Sequence, residues 1–131
     1  MIGLDTNVLV RYFVQDDATQ ARKASALIES LTPERRGYVT HVVLVEVVWV
    51  LSRAYGAEKS DIVRILETLV RSKEILVEST ETAWKAVRRY ADSAADFADC
   101  LIERSCYDAQ CEYTVTFDGK AAKALGMQLL R

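Results

Sequence analysis

Five short apolar runs, separated by longer segments with helical spacing, limit the folds that this chain can adopt. A strand, a helix and a further strand in succession favour a right-handed crossover, which makes neighbouring strands parallel and covers the sheet with helices. The predicted strands are Met1–Leu4, Gly37–Val39, Ile75–Val77, Tyr113–Phe117 and Met127–Leu130. The pattern therefore predicts an α/β fold with a parallel sheet sandwiched between helices.

The predicted helices begin at residues that can accept hydrogen bonds from free backbone N–H groups. Their predicted caps are Asp16 or Asp17, Thr40, Ser60, and Ser93 or Asp96, and a further helix is predicted to start at Thr80. The segment Val42–Leu51 is ambiguous, because its β-branched residues favour a strand whereas its length and the following Gly56 favour a helix. We predict a buried helix there.

The length of 131 residues, half of them hydrophobic, suits one compact domain over residues 1–131. No apolar run reaches the roughly 18 to 20 residues that span a bilayer, and the start lacks the pattern of a signal peptide. We expect a cytoplasmic protein that does not bind membranes. Cys100, Cys106 and Cys111 cannot all pair within the chain, and all three fall in one predicted helix, so we expect reduced thiols.

Four carboxylates stand out by their position. Asp5 and Asp118 each follow directly on an apolar strand, where the side chains of a parallel sheet reach a ligand-binding edge. Glu46 is the only charge in a ten-residue apolar run. Asp99 lies one helical turn after Asp96 and on the same face. These positions make the four acids candidates for one site.

Each acid also has a structural explanation. Asp5 and Asp96 suit helix caps, and Asp118 suits an Asp-Gly turn. Burying Glu46 without a partner would cost several kcal/mol, so it would need a hydrogen bond or an arginine in the core. Taken one at a time, therefore, none of the four acids establishes a site.

Taken together, the acids indicate a cation site. Two carboxylates about 4 Å apart repel by about 4 kcal/mol at an effective dielectric constant of 20, so a cluster needs a cation. Oxygen ligands select Mg²⁺ or Mn²⁺, which bind through carboxylates, waters and substrate phosphate. Such a metal activates water for in-line attack on phosphorus. The acids therefore predict phosphodiester chemistry.

Four segments of the chain, in this order, resemble those of PIN-domain ribonucleases, and most of all the VapC toxins of prokaryotic toxin–antitoxin pairs. The segments are Leu4–Leu9, the apolar helix around Glu46, Asp96–Ile102 and Thr114–Asp118. The resemblance implies a five-stranded parallel sheet and a Mg²⁺-dependent endoribonuclease, with Mn²⁺ as a substitute. It also implies an RNA substrate, a homodimer and a small antitoxin whose tail covers the active site.

The same resemblance implies roles for individual residues. Asp5 and Asp99 would be the principal metal ligands, and Glu46 and Asp118 would complete the catalytic set. Supporting roles would fall to Thr6, Asn7, Asp96 and Thr116. Cys100 replaces a small residue that is common in the family, which affects packing and not catalysis.

The net charge of −2 gives no general attraction to RNA, so binding would need bound metal or local basic residues. Arg11, Arg53, Lys120 and Lys123 flank the candidate segments. We expect a structural or surface role for His41. Trp49 and Trp84 are predicted to lie in the core or at a dimer contact, with base stacking as the alternative.

Two other classes of function are compatible with an acidic α/β domain. The first is a catalytically inactive PIN-fold module that binds RNA or protein. The second is a phosphoryl-accepting module, either a receiver domain or an aspartyl phosphatase. Such a phosphatase needs a second Asp two residues after Asp5, where Asn7 stands, and a receiver needs an acidic pair near the first strand. Both patterns are absent, which disfavours the second class.

Overall fold

The computed structural model describes every residue from Met1 to Arg131, and in it seven helices alternate with five short strands. The chain forms two compact units, residues 1–80 and residues 81–131. The first unit contains β1 (Ile2–Gly3), α1 (Thr6–Val14), α2 (Ala18–Glu29), β2 (Gly37–Val39), α3 (His41–Arg53), α4 (Lys59–Arg71) and β3 (Ile75–Val77). The second contains α5 (Thr80–Asp92), which begins at the boundary, α6 (Phe97–Asp108), β4 (Val115–Thr116), α7 (Gly119–Leu125) and β5 (Gln128–Leu129). None of the helices is long and apolar enough to cross a membrane.

The first unit is built on a parallel sheet with the strand order β1-β2-β3. Ile2 lies opposite Gly37, which lies opposite Ile75. Two helices make each connection, as parallel neighbours require a crossover. A Cβ atom on Gly37 would lie 2.7 Å from Cδ1 of Leu4 and 3.0 Å from Cδ1 of Leu31. The glycine therefore leaves the space in which Leu4, the residue before Asp5, is packed.

The core of the first unit lies between this sheet and its helices. Helix α1 packs against α2 and α3. The fully buried side chains include Leu9, Val39, Leu44, Val47, Leu66 and Val77. Because β1 leads into α1 with only Leu4 and Asp5 between them, the apolar packing on both sides fixes the backbone at Asp5.

The second unit has its own core and its own pair of strands. β4 and β5 pair in parallel, with Val115 opposite Gln128, and α7 makes the crossover. The rings of Tyr90 and Phe97 meet edge to face at 5.7 Å between centroids, which anchors the start of α6 against α5. Gly126 ends α7 with φ of 73°, a conformation that favours glycine.

The strands differ from the prediction in how they are grouped. All five strands pair in parallel, but they form ladders of three and of two rather than one five-stranded sheet. Alternating strands and helices predict parallel pairing, whereas the choice of neighbours depends on tertiary packing that this pattern does not carry. β4 and β5 are also shorter than Tyr113–Phe117 and Met127–Leu130, with only two residues each.

The helix boundaries agree with the prediction at most positions. Asp17 and Thr40 cap α2 and α3 with their side chains, as predicted. Ser60 was predicted to cap the next helix, but α4 begins at Lys59 and Glu58 holds the cap position. None of the three cysteines forms a disulfide, and Cys111 lies beyond the end of α6 rather than in one helix with the other two.

Candidate active site

Asp5 stands where β1 gives way to α1. It occupies the N-cap position of α1 with an extended backbone, yet its side chain accepts no capping hydrogen bond. Asp17, at the same position of α2, accepts a bond of 3.0 Å from the backbone N–H of Gln20. The structural explanation of Asp5 as a side-chain cap is therefore wrong, and its exposed carboxylate is left for another partner.

Glu46 was predicted to be a buried carboxylate, but it is exposed. Helix α3 buries Val43, Leu44 and Val47 and turns Glu46 outward. The prediction failed because α3 is apolar on its exposed face as well, so the sequence offered no polar stripe to reveal the orientation. The argument from the cost of burial does not apply to Glu46.

The partner of Glu46 is Thr6 rather than an arginine. The Thr6 hydroxyl donates a hydrogen bond of 2.6 Å to Oε1 of Glu46. Thr6 itself is only 7% exposed, because it lies in the first turn of α1 against the core. A buried hydroxyl with a fixed direction thus orients one oxygen of an exposed carboxylate.

The four predicted site residues of the first unit line one cavity of about 400 Å³. Its lining residues are Asp5, Thr6, Asn7, Val45, Glu46, Trp49 and Val50. The packing of α1 against α3 brings them together across about forty residues of sequence. The structure therefore assembles the part of the predicted site that belongs to the first unit, which we call the first acidic cluster (Asp5, Thr6, Asn7 and Glu46).

A second acidic cluster (Asp96, Asp99, Thr116 and Asp118) lies in the second unit. Asp99 is half-buried in the first turn of α6. Burial raises the pKa of its carboxyl group above the ordinary value, and the negative charges of Asp96 and Asp118 raise it further. Asp96 and Asp118 are thus each close enough to Asp99 to repel its ionised carboxylate.

Asp96 and Asp118 both hold N-cap positions but use them differently. Asp96 makes no capping hydrogen bond to α6, so its predicted alternative role as a side-chain cap is wrong. Oδ1 of Asp118 accepts bonds of 2.9 Å from the Lys120 N–H and 3.3 Å from the Ala121 N–H. The Thr116 hydroxyl accepts from the Asp118 N–H at 3.0 Å. Asp118 therefore has a structural role, but as the side-chain cap of α7 rather than in an Asp-Gly turn, and only one of its oxygens is used in it.

The donor chemistry of both clusters fits a hard divalent cation. Within either unit, no three His, Cys, Asp or Glu side chains are grouped closely enough to hold a metal ion by themselves. The donors are nevertheless oxygen atoms, two of the carboxylates leave their helices uncapped, and Asp99 sits among like charges. A cation that prefers oxygen would relieve that repulsion. The residues present therefore fit Mg²⁺ or Mn²⁺.

Of the basic residues proposed for RNA, Arg11 is engaged within the protein. Its guanidinium lies 2.9 Å from Asp16, donates to Gln20 at 2.7 Å and to the Tyr55 hydroxyl at 3.2 Å. This cluster around Arg11 was not predicted, because Tyr55 is distant from Arg11 in sequence. The other three basic residues, Arg53, Lys120 and Lys123, are exposed.

His41 has the role that was predicted for it, whereas Trp49 is not in the core. The Nε2 atom of His41 lies 2.6 Å from the carbonyl oxygen of Glu78, and its backbone N–H donates to the Glu78 carboxylate at 2.8 Å. These contacts give His41 the structural role that was expected. Trp49 was predicted to be a core or dimer-contact residue; it is not in the core, because it is 61% exposed and lines the cavity of the first acidic cluster, and the dimer contact stays a prediction. Its one signal in the sequence is its place three residues after Glu46.

Comparison with known proteins gives matches over nearly the whole chain. The family model of the PIN domain matches residues 2–125, which covers both units. The chain is also 26% identical over 126 residues to a protein named VapC ribonuclease from Aquifex aeolicus (strain VF5). That alignment covers 95% of this chain and 92% of the relative.

Proposed function

Because this chain belongs to the PIN-domain family, we propose that it is a Mg²⁺-dependent endoribonuclease and the toxin of a toxin–antitoxin pair. The observation that carries the proposal is the crowding of Asp99 by Asp96 and Asp118. Asp118 also caps α7, but that role uses one of its oxygens and does not account for placing Asp96 and Asp118 beside Asp99, whereas a metal nuclease needs these acids. The similarity to a VapC ribonuclease over nearly the full length supports the same function.

The proposal assigns each acidic residue a role. Asp5 and Asp99 would hold the metal ion, and Glu46 and Asp118 would complete its surroundings directly or through water. When bound, Mg²⁺ supplies an activated water and neutralises charge on the phosphodiester. Mn²⁺ would serve as a substitute, since it also prefers oxygen ligands.

The chain's own residues hold this arrangement in place. Thr6 keeps one oxygen of Glu46 fixed by its hydrogen bond, and Thr116 holds the turn that begins at Asp118. Asn7 lines the cavity of the first acidic cluster and would orient water or phosphate. Asp96 would strengthen the negative field at Asp99. We further propose that residues 1–131 act as one PIN domain, to whose function both acidic clusters contribute.

The proposed partners follow from the same assignment. They are an RNA substrate, a small antitoxin that covers the active site, and a second copy of the chain in a homodimer. We place the protein in the cytoplasm, where its RNA substrate is found. Without bound metal, we expect weak RNA binding, because the carboxylates repel the phosphate backbone.

A cleavage assay tests the function. The purified protein is incubated with a broad RNA panel in Mg²⁺, in Mn²⁺ and in EDTA. We expect cleavage only with metal, and we expect Asp5→Asn and Asp99→Asn each to reduce the rate by more than about 100-fold, since even outer-shell partners of a metal contribute about 10- to 100-fold. Asp17→Asn is the matched control, because Asn also caps a helix and Asp17 lies outside both clusters. Unchanged cleavage in either site variant would show that the mechanism is wrong.

A second candidate is a PIN-fold module that binds RNA or protein without cleaving it. It is favoured by the fact that neither unit groups three metal-binding side chains by itself. This candidate predicts that the RNA panel stays intact in Mg²⁺ and Mn²⁺ while RNA binding is readily measured. Metal-dependent cleavage that Asp99→Asn abolishes would exclude it.

A further inference from the structure

The exposed face of α3 carries a large apolar side chain on each side of Glu46. Val42 is 69% exposed and Trp49 is 61% exposed. They lie four residues before and three residues after Glu46, so all three side chains share one face of the helix. An exposed indole is a common recognition element, because its large flat ring makes much contact with few rotatable bonds.

Trp49 contributes to the same cavity as the first acidic cluster. The polar lining comes from Asp5, Thr6, Asn7 and Glu46, and the apolar lining comes from Val45, Trp49 and Val50. The volume of about 400 Å³ is within the range of small-ligand sites. Carboxylates that hold a cation suit a phosphate, and an indole suits the flat face of a base. A nucleotide carries both a phosphate and a base.

We propose that Trp49 is a nucleobase-binding residue, which stacks on a base of the RNA strand and positions the adjoining phosphodiester at the first acidic cluster. This inference rests on the proposed function and adds to it a binding site for an unpaired base. Stacking takes place on the face that every base shares, so Trp49 contributes affinity without selecting a particular base. The substrate is therefore single-stranded at the contacted nucleotide.

A second copy of the chain is a less suitable occupant of this face. Glu46 lies between Val42 and Trp49, and the neutral Thr6 hydroxyl is the hydrogen-bond partner of its carboxylate. An apolar dimer contact would strip water from this carboxylate without supplying a cation, which is costly. RNA binding with a metal ion supplies the missing positive charge.

Fluorescence tests the contact directly. The chain has two tryptophans, so Trp84→Phe leaves Trp49 as the sole indole. This protein is titrated with a short mixed-sequence single-stranded RNA, with Ca²⁺ in place of Mg²⁺ to slow cleavage. We expect the emission of Trp49 to be quenched as RNA binds. The fully base-paired form of the same sequence should quench it much less.

Binding constants then separate stacking from packing. Trp49→Ala should weaken RNA binding and raise KM by about 5- to 100-fold, with a smaller effect on kcat, since a stacked base is worth about 1 to 3 kcal/mol. Trp49→Phe should restore most of the affinity. Val42→Ala is the control on the same helix face and should bind as the parent does. Replacing the stacked nucleotide with an abasic one should weaken binding to the parent but not to Trp49→Ala.

Several results would overturn the inference. Absence of quenching, or an unchanged KM in Trp49→Ala, would show that no base stacks there. A Trp49→Ala protein that becomes monomeric in light scattering while its RNA affinity is unchanged would identify a dimer contact instead. If the parent binds RNA with quenching but cleaves nothing, the base-binding site stands and the nuclease function fails.

Discussion

At the scale of single residues, Thr6 and Glu46 show what the sequence contained and what it lacked. Both were predicted to belong to one site, and the structure joins them by a hydrogen bond of 2.6 Å. The predicted reason for Glu46, its burial, was wrong because it is exposed. Residue identity and order therefore predicted the membership of the first cluster, whereas the exposure of each side chain depended on how α3 is rotated about its axis.

Asp99 leads to a prediction about stability and pH. Its pKa is raised in the folded state, so the folded protein holds this proton more tightly than the unfolded chain does. The stability that the protonated form contributes is complete below the ordinary pKa of 3.8 and is lost as the pH rises through the folded-state pKa. At neutral pH, the ionised Asp99 is therefore a stability cost.

Asp99→Asn should remove that cost. In metal-free buffer at pH 7 we expect the variant to have a Tm about 1 to 4 °C higher than the parent, because partial exposure limits the effect to under about 1 kcal/mol. The difference should disappear below pH 3.8 and should also shrink when Mg²⁺ is added, since the metal stabilises only the parent. Calorimetry measures it, with Glu112→Gln as an exposed control. A lower Tm for Asp99→Asn at pH 7 would contradict the prediction.

At the scale of elements, four helices have an aspartate at the N-cap position, and these side chains are used in two ways. The side chains of Asp17 and Asp118 accept hydrogen bonds from the first turn, whereas those of Asp5 and Asp96 do not. The residue type is the same in each case, so the sequence could predict the helix starts but not which carboxylates would be occupied. That choice depends on the rotamer, which the surroundings in the fold decide.

The caps of α1 and α2 can be compared by mutation. Asp17→Ala should lower the free energy of unfolding by about 1 kcal/mol, because α2 loses a side-chain hydrogen bond. Asp5→Ala should lower it by clearly less, because α1 has no such bond to lose. Urea denaturation in metal-free buffer gives both values, and Asp17→Asn should behave as the parent does. Equal losses in the two alanine variants would mean that Asp5 caps α1 in solution.

At the scale of the whole molecule, the sequence predicted local pairing better than assembly. The bounds of β2 and β3 agree with the predicted strands, and all pairing is parallel as expected. The grouping into ladders of three and two was not predicted. The apolar pattern reports which residues turn inward, but the neighbours of a strand depend on contacts that are distant in sequence. The same limit applies to the acidic residues, which were predicted as one site from the order of the segments and which form one cluster in each unit.

Mixing experiments test whether one chain supplies both acidic clusters. If residues 1–131 act as one domain, Asp5→Asn and Asp99→Asn chains are each incomplete, and a mixture of them should cleave RNA no faster than either alone. The chains should be mixed after mild denaturation and refolded together, so that they can exchange partners. Refolding the parent with either variant is the control for recovery. Restored cleavage would show that the first cluster of one chain works with the second cluster of another.

The glycine at position 37 has a consequence for how this protein would lose its activity. Leu4 occupies the space that a side chain there would need, and Asp5 follows Leu4 directly. Replacing Gly37 with alanine would add a methyl group that displaces Leu4, and the position of the Asp5 carboxylate would change with it. In a cell that escapes such a toxin by mutation, the substitutions that abolish its activity need not replace an acidic residue. They can fall on Gly37, which lies on the adjacent strand and belongs to neither acidic cluster.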